Sequence, residues 1–321
     1  MRAEFAATLT ELAEADPRIL LLTGDLGFMA LEPFVERFPQ RFFNVGVAEQ
    51  NMVGLATGLA AAGFIPFVYS IVTFASLRPY EFIRNGPILH QLPVRIVGIG
   101  GGFEYGTAGV SHYGLEDIGV MRIQPGLTII APADFQQTRT ALLNSYALPG
   151  PIYYRLGKDD KTTIPGLDGR FDLGRAQTIR AGDDLLFVTM GAIASDTAAA
   201  AESLVAQGIA CTVMVVASVN PAPENDLVEA LARFPLVVTV EAHYAVGGLG
   251  SLVAEMIAEH KLSCRLVRCA VREAPNGVSG GQAFLHDAHG LSDRCLAQTA
   301  SREFARVGRR ETTFLSNSHS T

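Results

Sequence analysis

The chain has 321 residues and a mass of 34.3 kDa, a length suited to two compact domains of roughly 150 residues each. Hydrophobic residues make up 49% and charged residues 18%, with 32 Gly and 16 Pro, which excludes a disordered, collagen-like or low-complexity chain. Twenty-five Lys and Arg against 32 Asp and Glu give a net charge of −7 without blocks of like charge, so neither nucleic acid nor membrane lipid is expected as partner, and a small molecule is.

Apolar runs too uniform for half-exposed strands recur at Ile19 to Thr23, Pro66 to Ser70, Val94 to Ile99 and Leu127 to Ile130, the pattern of buried parallel strands. Helical spacing lies between and after them, over Glu49 to Ala62, Tyr80 to Gln91 and Asp134 to Ala147. From Leu156 to Arg180 charge, Gly and Pro dominate without a period, which marks a connecting segment. A second series follows. Strands are expected at Leu185 to Thr189, Cys211 to Val216, Val237 to Val240 and Cys264 to Val267, alternating with helices near Ala194 to Gln207, Pro223 to Phe234 and Gly248 to His260. The fold class is therefore α/β: two consecutive domains, each a mostly parallel sheet flanked by helices, at residues 1–165 and 181–306, with a linker at 166–180. Past Arg302 the apolar period fades, and a frayed tail is expected at 307–321.

Cys211, Cys264, Cys269 and Cys295 form no C-x-x-C pair and read as reduced thiols. Met1 to Arg18 carries Arg2, Glu4, Glu11, Glu14 and Asp16 and lacks a secretory apolar core. No window approaches the roughly 20 apolar residues of a membrane span, so a cytoplasmic location is expected.

Several motifs match a chemistry in spelling but not in context. Gly98-Ile99-Gly100-Gly101-Gly102 follows a strand, yet the third glycine of a dinucleotide fingerprint falls at Phe103. Gly248-Leu249-Gly250 opens a helix and has Val253 at the third position; close helix packing is the simpler account, an anion at the free N–H groups the alternative. Gly277-Val278-Ser279-Gly280-Gly281, with His286 and His289 after it, spells a nucleophile elbow, but the turn Glu273-Ala274-Pro275-Asn276 stands where a strand is needed. Gly24-Asp25-Leu26 with Asn51 lacks the second glycine of a metal-diphosphate motif, and no metal-ligand cluster is evident.

The informative block is Asn44-Val45-Gly46-Val47-Ala48-Glu49-Gln50-Asn51, leading into the small-residue stretch Gly54 to Ala62. Alone, Glu49 is an acid in a first helical turn, favoured by the macrodipole. Its neighbours are apolar or small, however, and Thr73-Phe74 follows with Leu77 and Tyr80 spaced to face the same way. An acid in an apolar pocket beside an aromatic plate resists ionisation, as a proton-exchanging group should.

Val45-Gly46-Val47-Ala48-Glu49-Gln50, Thr73-Phe74, Ser111-His112 and His243-Tyr244-Ala245-Val246-Gly247-Gly248-Leu249-Gly250 resemble the transketolase family of thiamine-diphosphate enzymes. The resemblance covers nearly the whole chain, as a pyrimidine-binding domain followed by a transketolase C-terminal domain. It implies that Glu49 hydrogen-bonds the cofactor's aminopyrimidine and promotes its imino form, that Phe74 stacks on that ring, and that Val47, Leu77 and Tyr80 close the pocket. His112 matches the histidine that handles substrate oxygens and protons, Asp25 an aspartate lining the cofactor site, and Arg2 a phosphate-contacting arginine.

The family's diphosphate-binding domain is not among these 321 residues. The resemblance therefore implies the second subunit of a split transketolase in an α2β2 heterotetramer, its thiamine diphosphate shared with a partner that holds Mg²⁺ or Ca²⁺. The implied activity is transfer of a two-carbon ketol unit from a ketose, such as a ketose phosphate, to an aldehyde. The beta subunit of a 2-oxo acid dehydrogenase and a non-catalytic regulatory subunit are the alternatives; the loop from Phe103 to Met121 fits split transketolases better. Ala108 and Ala131 stand where the family carries an aspartate for a sugar hydroxyl and an arginine for a sugar phosphate, and Gly100-Gly101-Gly102 where it supplies a histidine or arginine. These departures point to an acceptor other than an ordinary aldose phosphate, with the Gly98 to Gly106 segment expected to leave room for something bulkier.

Overall fold

The computed structural model describes residues 1–275 and 277–317, with side chains as far as residue 307. The first half supplies strands β1 (Ile19–Thr23), β2 (Phe42–Asn44), β3 (Ile65–Ile71), β4 (Arg95–Ile99), β5 (Thr128–Ile130) and β6 (Ile152–Leu156). The second supplies β7 (Gln177–Arg180), β8 (Leu185–Thr189), β9 (Cys211–Val215), β10 (Ser218–Asn220), β11 (Leu236–Tyr244) and β12 (Arg265–Val271). They form two sheets, in the orders β10-β5-β6-β4-β3-β1-β2 and β12-β11-β8-β9-β7. Among the strand pairs of the described residues, only β10 on β5 and β7 on β9 are antiparallel. Two mostly parallel sheets flanked by helices are what the apolar runs predict.

Helices α1 (Arg2–Ala15), α2 (Glu32–Arg37), α3 (Glu49–Ala61), α4 (Val72–Ser76), α5 (Tyr80–Ile83), α6 (Asp117–Arg122) and α7 (Phe135–Ser145) connect the first strands. Residue alternation along β1 sorts them to two faces. Leu21 packs with Phe5 and Leu9 of α1 and Leu142 of α7, whereas Leu20 and Leu22 pack with Met52, Val53 and Ala56 of α3. Around the second sheet lie α8 (Ala194–Val205), α9 (Glu224–Arg233), α10 (Leu249–Glu259), α11 (Gln282–Ala288) and α12 (Asp293–Asn317).

The structure departs from the sequence pattern in four places. The single helix expected over Tyr80 to Gln91 breaks after Ile83 into a π-helical turn, Arg84–Ile88, because Pro87 has no N–H to give the ladder. The linker expected at 166–180 ends in a strand, since Gln177–Arg180 is β7 of the second sheet. Strand β10 crosses from the second half to the edge of the first sheet, with Ser218 opposite Ile130 and Asn220 opposite Ile129. The helix begun at Asp293 continues through Asn317, past the point where the apolar period fades; of the expected tail, residues 318–321 lie outside the described residues.

Parallel strands β1, β2, β3 and β4 end together at their carboxyl edges. Asp25, Glu49, Phe74 and the loop from Gly100 follow directly from those ends, the usual place for a ligand on an open parallel sheet.

Candidate functional site

Glu49 is the first residue of α3. The left-handed Gly46 (φ 72°) turns the chain there after β2. At 2% exposure the side chain is buried under Gly24, whose missing Cβ would lie 3.4 Å from Oε1. Ser70 at the end of β3 donates its hydroxyl to Oε1 at 3.2 Å, and the Arg78 guanidinium donates to Oε2 at 3.0 Å. Arg78 thus corrects the expectation of a purely apolar pocket: the acid is shut off from water yet ion-paired.

Phe74, in the middle of α4, stands next to that pair. The Arg78 carbon Cζ lies 3.9 Å from the centre of its ring. His112 meets the same ring in a T-shaped contact, centroids 5.1 Å apart. The His112 loop is tied in place by Thr73, which donates to the Ser111 carbonyl oxygen at 3.4 Å. Ser111 Oγ lies 3.0 Å from His112 Nδ1. Glu49, Phe74 and His112, spread over some sixty positions of sequence, are therefore brought together, Glu49 through Arg78 and His112 by direct ring contact with Phe74.

Of the other expected residues, Val47, at 68% exposure, and Leu77 are open to solvent in this chain rather than closed over a pocket. The Tyr80 hydroxyl donates to the Val120 carbonyl oxygen at 3.0 Å and accepts from Gln124, so its polar end is spent on anchoring α5 to the α6 segment. Asp25 has φ 58° and exchanges two hydrogen bonds with Asn44, of 3.0 and 3.1 Å. Arg2 opens α1, where its charge acts on the phenols of Tyr69 and Tyr105.

Sequence reasoning passed over Arg78, Ser70, Tyr105 and Lys158. Tyr105 lies 6.3 Å from the His112 ring, centroid to centroid, and Lys158 Nζ lies 4.2 Å from the centre of the Tyr105 ring. Arg78 did carry a signal, since it stands four residues after Phe74, a spacing that returns a side chain to the same side of a helical turn. Beside Tyr105, burial pushes the Glu104 carboxyl up to about 7, against the lowering effects of the Lys158 N–H and the Arg155 charge.

The glycine-rich loop does not provide the expected space. A Cβ on Gly100 would meet the Tyr105 ring at 2.1 Å, one on Gly101 the Arg155 guanidinium at 2.6 Å, and one on Gly102 the Ala242 side chain at 2.6 Å. These glycines admit neighbours of the same chain. Arg155 is bonded through Nε to Asp117 at 2.9 Å and through its other nitrogen to the carbonyl oxygens of Gly114 and Ala242, joining the His112 loop to the second sheet. Ala131 is fully buried in the core and presents nothing to the cleft, while Ala108 is exposed.

The remaining motifs are also structural. The Glu241 carboxylate accepts the N–H groups of Leu249 and Gly250 at 2.7 and 2.8 Å, so the start of α10 already holds an anion, the chain's own. His243 accepts the Gly119 N–H at 3.1 Å across the two halves. Ser279 is exposed in an irregular segment that no strand leads into, and Asn276 of the same turn lies outside the described residues. All four cysteines are free thiols, with burial pushing Cys211 up to about 12 and Cys269 up to about 11.

Comparison with known proteins gives this geometry a family. Residues 1–162 match the family description "Transketolase, pyrimidine binding domain" and residues 174–294 match "Transketolase, C-terminal domain". A "Putative transketolase C-terminal section" from Methanocaldococcus jannaschii is 35% identical over 94% of this chain and 96% of its own length. The "6-deoxy-6-sulfo-D-fructose transketolase subunit SqwH" of Clostridium sp. strain MSTE9 is 34% identical over 94% of this chain and 93% of its own. Among solved structures, a "Split gene transketolase, inactive beta4 tetramer" is 34% identical, superposes with a TM-score of 0.84, and is matched over 95% of this chain and 97% of its own. The chain belongs to the transketolase family, and over its pyrimidine-binding and C-terminal domains it corresponds to the second, beta subunit of the split transketolases.

Proposed function

We propose that this chain works as the pyrimidine-side subunit of a thiamine-diphosphate-dependent transketolase that moves a two-carbon ketol unit from a ketose or ketose phosphate to an aldehyde, in an α2β2 assembly in the cytoplasm with a subunit that binds the diphosphate and Mg²⁺ or Ca²⁺. The single observation that carries the reading is the convergence of buried Glu49 with half-buried Phe74 and His112 at the carboxyl edge of the first sheet. The residues fit an aminopyrimidine: a flat, nitrogen-bearing guanidinium already stacks on Phe74 while donating to Glu49. Once bound, the cofactor supplies the electron sink for carbon–carbon cleavage.

Glu49 then holds or releases a proton at Oε2, with Ser70 steadying Oε1. Phe74 fixes the ring plane, and His112, steadied by Ser111, handles protons on substrate oxygens. Arg2 and Lys158 beside Tyr105 favour a substrate with an anionic end. Exposed Phe28, Met29, Val47, Leu55 and Leu77, in the segments that carry Asp25, Glu49 and Phe74, support a protein partner on this side of the chain. The position of Ala108, together with the sulfosugar in the name of one relative, supports an acceptor or donor outside the common aldose phosphates.

The test mixes the chain, a subunit carrying the diphosphate-binding domain, thiamine diphosphate and Mg²⁺ with a panel of ketose phosphates and 6-deoxy-6-sulfofructose. Aldehyde release requiring all components is the expected result, and Glu49→Ala should lower kcat by about 10²–10⁴-fold. A loss of only a few fold removes Glu49 from the role. Decarboxylation of a 2-oxo acid in place of ketol transfer assigns the chain to the dehydrogenase alternative.

A further inference from the structure

We infer that Arg78 is a displaceable placeholder for the cofactor's pyrimidine ring: its guanidinium occupies the slot between Glu49 and Phe74 in the free chain and leaves when the ring enters. The inference rests on the pyrimidine reading of this cleft and adds the event that precedes binding. Three observations meet at this residue.

The first is shape. A guanidinium is planar, carries N–H donors around its edge and stacks on aromatic faces. At 3.9 Å over Phe74 and 3.0 Å from Glu49 Oε2, Arg78 makes both contacts that the resemblance assigns to the aminopyrimidine, with the same two residues. Arginine and ring cannot share that space.

The second is asymmetry of burial. The Glu49 side chain is 1% exposed and that of Arg78 is 43% exposed. A buried acid without a partner is costly, so the free chain needs a counter-charge that can be withdrawn without opening the core. Among the described residues Arg78 makes its side-chain hydrogen bond to Glu49 alone, and outward rotation into solvent breaks no other. Ser70 stays on Oε1 when Arg78 leaves, so Glu49 keeps its aim.

The third is position. Arg78 lies beyond the end of α4, in the turn between exposed Leu77 and buried Pro79, rather than inside a helix. Solvent-exposed side chains move on the ps–ns scale, so the placeholder lowers affinity and does not slow entry.

Competition of this kind reduces apparent affinity by the fraction of molecules with the slot open. Isothermal titration of thiamine diphosphate with Mg²⁺ into the assembled two-subunit complex reads it directly, without turnover. Arg78→Ala should bind the cofactor about tenfold more tightly than the wild type, as expected for removing one half-exposed ion pair and one stacking contact. Arg78→Lys, which keeps the charge but not the plane, should fall between. Raising the salt concentration should narrow the gap between wild type and Arg78→Ala, a trend that a purely structural role for Arg78 does not give.

Equal or weaker binding by Arg78→Ala, in a complex that melts with the wild type, overturns the placeholder and leaves the cofactor assignment standing. Absence of thiamine diphosphate binding in wild type and variants alike overturns both.

Discussion

Two arginine–carboxylate pairs, each reaching from a strand or turn to the first residue of a helix, are built to opposite ends. Arg155 and Asp117 are 5% and 1% exposed; Arg78 and Glu49 are 43% and 1%. Arg155 also bonds two carbonyl oxygens, and Asp117 accepts from the Tyr153 hydroxyl at 2.9 Å as well, so the pair is locked from several directions. Arg78 has a single hydrogen bond and an aromatic face. The first pair binds the His112 loop to the second sheet, and the second leaves one member free to turn away. The same chemistry serves as rivet or as latch according to how many other groups hold the arginine.

The largest effect that sharpens this contrast is expected at Asp117→Ala. It strands a buried guanidinium, and chemical denaturation should register a loss of about 3–5 kcal/mol. A loss under about 1 kcal/mol would place the two pairs in the same class. Glu104 is the intermediate case, a half-buried carboxyl group without a direct guanidinium contact. Its folded value of about 7 lies above the ordinary 4.5, so the folded state binds the extra proton, and the stabilisation present below about pH 4.5 is lost as pH rises towards about 7. Melting temperatures across that window should fall for the wild type more steeply than for Glu104→Gln, which keeps an acceptor for the Lys158 N–H at 2.9 Å. Parallel curves would count against Glu104 as the source. The smallest effect belongs to Arg78→Ala. Half-exposed and singly bonded, it should cost the free chain about 1–2 kcal/mol by the same denaturation assay, because Glu49 loses its counter-charge but keeps Ser70, and a loss as large as that of Asp117→Ala would mean that the latch is a rivet too.

The strands that could be read in the sequence are those with unbroken apolar runs, such as Ile19–Thr23 and Leu185–Thr189, because both faces of their sheets are buried. Strand β6 was hidden by Arg155, a charge that marks a surface unless its partner Asp117, far off in sequence, is known. Strand β10 is three residues long and takes its partner from the other half. In the site, Glu49, Phe74 and His112 stand out through local composition and the family likeness. The packing of Gly100, Gly101 and Gly102 did not, since what fills the space beside Gly101 and Gly102 comes from Arg155 and Ala242. Arg78 is hard to read for a related reason: an arginine after a leucine at a helix end reads as solvated, and its spacing from Phe74 is a weak signal until the fold shows it lying across the ring.

Strand β10 has a practical consequence for anyone cutting this polypeptide into pieces. The Ala131 N–H bonds the Ala217 carbonyl oxygen at 2.7 Å, and Asn220 reaches the Leu127 carbonyl oxygen. A fragment ending near residue 162, where the first family match stops, leaves the β5 edge with open donors and acceptors, a template for sticking to other copies. The natural unit for expression, crystallisation or domain grafting is the pair of sheets together.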